Sequence, residues 1–65
     1  LGYQKLYDVT QEAIYQYSKA WNNLYRAAFE EKADKRQLQA DALIYFQRGN
    51  GSFSLAGVLL EKITE

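Results

Sequence analysis

The chain has 65 residues, with eight Lys plus Arg balanced by eight Asp plus Glu, and it contains neither Cys nor His. Those absences exclude disulfides, zinc fingers, thiol nucleophiles and imidazole bases together, and a net charge of zero leaves no overall field to gather nucleic acid or anionic membrane. A domain this short buries only about 60% of the surface its unfolded chain exposes, so a second subunit is the expected supplement to a thin core.

No Pro interrupts the sequence, and apart from Gly2 the glycines stand at 49, 51 and 57. The first expected element is one long helix over about residues 3–33. Two starts compete for it. Asp8 or Thr10 can act as N-cap, Thr10 with Val9 and Ile14 as its hydrophobic staple; alternatively the helix begins near Tyr3, since Leu6 and Tyr7 continue the apolar pattern. The apolar stripe runs through Tyr3, Leu6, Tyr7, Thr10, Ala13, Ile14, Tyr17, Ala20, Trp21, Leu24 and Ala28 in steps of three and four. Lys5, Asp8, Glu12, Lys19, Arg26 and Glu30 make the opposite, solvated face. Tyr17, Trp21, Tyr25 and Phe29 recur every fourth residue, a row that drifts about 40° around the helix per step. Tyr17 and Trp21 therefore belong to the stripe, Tyr25 to its margin and Phe29 to the flank.

Asp34 is the next cap candidate, with Gln37 reaching back as in a capping box, and it predicts a second helix over about 35–47. The segment RGNGS, residues 48–52, reads as its stop, with Gly49 in the left-handed C′ position. Ser54 then caps a third helix over about 54–64, stapled by Phe53 and Val58. A β-hairpin across 42–59 is the rival for this region, because Asn50-Gly51 is a hairpin signal. Helix formers in KRQLQADAL and poor alternation in AGVLL weigh against it. Gly57 costs roughly 1 kcal/mol in a helix and is expected to pack against Trp21.

The fold class that follows is all-α: one long amphipathic helix and two shorter ones in a three-helix bundle, a single domain of residues 1–65. A helix from Tyr3 to Lys32 is about 45 Å long, whereas the two shorter helices total roughly 36 Å. Apolar length is thus left over on the first helix. The expected outcome is a homodimer through Tyr3, Leu6, Tyr7, Ile14, Tyr17 and Trp21. Alanines 13, 20, 27 and 28 suit an antiparallel pair, with large rings facing small residues across a two-fold axis.

The functional expectation is a non-enzymatic homodimerisation or protein–protein interaction module of a regulatory or assembly protein. It needs no cofactor and no metal, and its partners are itself and a further protein. Glu30, Glu31 and Asp34 cluster, but Lys32, Lys35 and Arg36 interleave with them, and EF-hand spacing is missing. The alternative is a small dimeric nucleic-acid binder using Arg26, Lys32, Lys35 and Arg36 at the first helix junction, beside the rings of Tyr25 and Phe29. A helix-turn-helix reading of 39–63 fails on its second helix, whose LAGVLLEKITE offers no basic or amide side chain before Lys62. The longest apolar run, ALIYF at 42–46, is far short of a membrane span. With no signal peptide in view a cytoplasmic location is expected, although a chain that opens on Leu1 and lacks Met is expected to be an excised piece.

Overall fold

The computed structural model describes residues 2–64; Leu1, on which the expectation of an excised piece rests, and Glu65 lie outside them. Two helices account for almost all of it: α1, Gly2–Phe29, and α2, Lys35–Thr64. They fold back on each other as an antiparallel hairpin whose Cα atoms extend over 50 × 14 × 12 Å. The three-helix bundle expected from the sequence is therefore corrected to a helical hairpin, and the rival β-hairpin is corrected with it, since 42–59 is helical throughout.

The start near Tyr3 is the one the chain adopts. Thr10 lies inside α1, where its Oγ1 donates to the Leu6 carbonyl at 2.7 Å, so it caps nothing. The helix closes at Phe29, short of 33, and residues 30–34 make the turn. Asp34 caps α2 as its residue type predicts: its Oδ1 accepts from the Gln37 amide at 3.1 Å. Gln37 does not complete a capping box. Its Nε2 donates forward to Asp41 Oδ1 at 2.8 Å.

Why α2 passes through RGNGS without stopping is a matter of tertiary spacing. The half-buried and buried residues of α2 are Leu38, Asp41, Ala42, Tyr45, Gly49, Ser52, Ala56, Leu59 and Ile63. Asp41 aside, their steps alternate between four and three without a break, so a single straight helix keeps them all on one seam. A turn at 48–52 would throw half of that seam away. Nothing in the backbone demands a turn either, because no described glycine has a positive φ. Ser54, expected as a cap, is an exposed mid-helix residue.

The facing seam on α1 is Leu6, Val9, Ala13, Gln16, Ala20, Asn23 and Ala27, again in steps of three and four. Small residues recur every seventh place in both helices, at 13, 20 and 27 and at 42, 49 and 56. Such rows let two helix backbones come close. Gly2 comes against Ile63, where an added Cβ would lie 3.3 Å from Ile63 Cγ1. At the other end Asn23 Nδ2 donates to the Leu38 carbonyl at 3.3 Å. These contacts fix the register.

The resulting core is slight. Among the described residues its buried hydrophobic members are Ala13, Ala20, Leu38, Ala42 and Ala56, of which only Leu38 is large. Alanine carries little apolar surface out of water. The close seam therefore joins the helices while leaving most of the chain's large side chains exposed.

Candidate interaction face

One side of the hairpin gathers many of those large side chains. The row of α1 beside the seam is Tyr3, Tyr7, Thr10, Ile14, Tyr17, Trp21, Leu24 and Ala28; the matching row of α2 is Gln39, Leu43, Phe46, Asn50, Phe53, Gly57 and Leu60. Spacings of three and four keep each row on one helix flank, and contacts between the helices show that both flanks face the same way. The Tyr17 ring lies 6.1 Å from that of Phe46 and 6.4 Å from that of Phe53. Leu24 shares a shallow groove with Leu43 and Phe46. Ile14 and Trp21 line an open hollow beside Tyr17.

Neither row contains a charged residue. The charged residues of α1, namely Lys5, Asp8, Glu12, Lys19 and Arg26, all fall elsewhere on that helix, and Arg36 stands at the turn end of the α2 row. Two of the polar groups on the face are engaged within the chain. Thr10 bonds to Leu6, and the Tyr17 hydroxyl donates to Asn50 Oδ1 at 2.5 Å. What remains is an uncharged, aromatic-rich strip down the length of the hairpin.

Of the six residues expected to form an interface, four stand open on this strip: Tyr3 at 70% exposure, Tyr7 at 65%, Ile14 at 58% and Trp21 at 66%. Leu6 instead turns into the seam and is half-buried. Tyr17 does both, crossing the seam to lie on α2. It fits there because Gly49 has no side chain: a Cβ at 49 would sit 2.7 Å from Tyr17 Cε1. Gly49, expected as a helix stop, is a slot for a ring. The expected packing of Gly57 on Trp21 is also corrected, since nothing lies within 4 Å of where a Gly57 Cβ would be. Trp21 stacks on Tyr25 instead, with centroids 5.7 Å apart, and Tyr25 meets Phe29 at 4.8 Å. Leu38 and the LIYF segment leave both Tyr25 and Phe29 exposed.

Leu24 already stood on the expected α1 stripe, but Leu43, Phe46, Phe53 and Leu60 of α2 join the face without having been assigned to it. The recurrence of small residues at 42, 49 and 56, in step with 13, 20 and 27, is the signal that would have found them. It requires a continuous α2.

Two members of the basic cluster have other neighbours. Arg26 Nε lies 3.3 Å from both carboxylate oxygens of Glu30, an exposed i,i+4 pair of small energetic value. Arg36 borders the apolar groove with Leu24 and Phe46. Lys32 lies in the turn and Lys35 begins α2. Among the described residues no three or more carboxylates stand together as metal ligands, and no helix is long and apolar enough to cross a membrane. No family model, curated protein or solved structure matches the chain.

Proposed function

We propose that the chain is a homodimerisation module, a non-enzymatic part of a cytoplasmic regulatory or assembly protein that works by burying its uncharged face. The observation that carries this reading is an excess of exposed surface. A folded monomer of this chain's 7.5 kDa is expected to expose about 4,200 Å², whereas the hairpin exposes 5224 Å². The surplus of about 1,000 Å² per chain is of the size that a stable protein–protein interface removes from each partner. Trp, Tyr and Phe at the centre of the face are the residue types that dominate interface energetics.

Sedimentation equilibrium tests the reading. Wild-type protein at tens of micromolar is expected to have twice the chain mass, and Trp21→Glu to have the chain mass, because a carboxylate cannot be buried unpaired in an apolar interface without a large penalty. A wild-type chain that stays monomeric at those concentrations contradicts the proposal.

The second reading, a dimeric nucleic-acid binder, is favoured by Lys32, Lys35 and Arg36 meeting at one end of the hairpin. It predicts binding that falls steeply between about 50 and 200 mM salt through counterion release. Apolar self-association is expected to weaken little over the same range.

A further inference from the structure

Gly57 sits inside a thirty-residue helix with no neighbour within 4 Å of its would-be Cβ. Glycine there costs roughly 1 kcal/mol relative to alanine, and the hairpin gives no return for it. Gly49 shows what a mid-helix glycine does in this chain: it admits the ring of Tyr17. Gly57 lies on the open face in the same row as Leu43, which lines the groove, and Asn50, which holds the Tyr17 hydroxyl. It is a second notch of the same kind, facing outward.

We infer that a second copy of the chain fills it, with two hairpins packed face to face and antiparallel, α1 on α1 and α2 on α2, so that each Gly57 receives the partner copy's Phe46 ring. The inference rests on the dimer proposed above and specifies its geometry. It is argued from the symmetry of the rows. The α1 row, 3, 7, 10, 14, 17, 21, 24 and 28, has steps that read alike in both directions, so reversal about its midpoint sets Tyr3 against Ala28 and Trp21 against Thr10. Reversal of the α2 row from 43 to 60 sets Phe46 against Gly57 and Leu43 against Leu60. Tyr3, Trp21 and Phe46 thus meet small residues, while Tyr7 meets Leu24 and Ile14 meets Tyr17 as apolar pairs, a self-complementary pattern of the kind a two-fold axis requires.

The two midpoints also share a level. Contact of Gly2 with Ile63 puts residues whose numbers sum to 65 side by side. The midpoint of the α1 row falls between Tyr15 and Gln16, that of the α2 row between Gly51 and Ser52, which misses this sum by two residues, about 3 Å. One two-fold axis therefore serves both rows. The absence of charge from either row removes the repulsion that like residues would otherwise suffer across such an axis.

The test combines sedimentation equilibrium with disulfide trapping. Gly57→Ala is expected to weaken dimerisation by about tenfold, equivalent to about 1.4 kcal/mol, whereas the same change at the other open glycine, Gly51→Ala, is expected to leave dimer affinity unreduced. Because the chain has no cysteine, Leu43→Cys protein mixed with Leu60→Cys protein is expected to give a disulfide-linked heterodimer on mild oxidation. Dimers of undiminished affinity in Gly57→Ala, or no linkage of 43 to 60 while wild-type protein is dimeric, would overturn this geometry and leave the dimer standing. A monomeric wild type would overturn both.

Discussion

The ring of Tyr17 rests on the backbone of Gly49, close enough that a Cβ at 49 would approach Tyr17 Cε1 to 2.7 Å. This relationship holds the middle of the hairpin together. It also sets two effects of one substitution against each other. Gly49→Ala raises helix propensity by roughly 1 kcal/mol but forces a rigid ring out of place, an overpacking cost of about 1–3 kcal/mol. The expected outcome is a net loss of stability, read from urea unfolding at fixed protein concentration. If Gly49→Ala stabilises the protein, the ring is not seated there.

Gly51 supplies the opposite expectation. It is equally interior to α2, yet its would-be Cβ meets nothing. Gly51→Ala should therefore stabilise the chain by about 0.5–1 kcal/mol. A loss on this substitution would mean that 48–52 is a turn after all, as its local chemistry suggests.

That local chemistry explains which part of the fold was legible in the sequence. The three- and four-residue pattern of α1 and the Asp34 cap follow from nearest neighbours and could be read directly, whereas α1 ends at Phe29, before the expected 33. The continuity of α2 could not be read that way, because Gly49, Asn50 and Gly51 favour a turn when considered alone. They remain helical because Ala42, Gly49 and Ala56 must share a seam with Ala13, Ala20 and Ala27, and because Asn50 is tied to the Tyr17 hydroxyl. Tertiary pairing outweighs local propensity here. The apolar rows of α1 were accordingly visible in advance, and the α2 row was hidden behind the supposed turn. Leu6 was misplaced for a related reason: seam and face are adjacent rows of one broad stripe, and only the partner helix separates them.

Gln16 carries a buried side-chain oxygen, Oε1, for which no hydrogen-bond partner is found, while its Nε2 donates to Glu12 Oε1 at 2.8 Å. An unsatisfied buried acceptor costs about 1–3 kcal/mol. Gln16→Met keeps the length of the side chain and removes that acceptor, so it is expected to raise stability by about 1 kcal/mol. Calorimetry would show this as a higher Tm; a lower one would indicate that water or a partner reaches the amide.

Removal of the Asp34 cap should act locally. Asp34→Ala deprives the Gln37 amide of its acceptor and is expected to cost about 1 kcal/mol. Amide hydrogen exchange should quicken in the first turn of α2 and stay unchanged near Ile63. Uniform quickening along α2 would speak against a capping role.

A second copy of the chain is expected to cover the exposed strip. Trp21 is the only tryptophan in the chain and lies two-thirds open on that strip at 66% exposure, so its emission reports directly on the face. The most direct measurement is Trp21 fluorescence recorded alongside sedimentation equilibrium as the protein is diluted from tens of micromolar to nanomolar. The predicted result is a single transition in which mass falls from twice 7.5 kDa to the chain mass as emission moves to the red. A chain mass at every concentration, with emission red-shifted throughout, would contradict it.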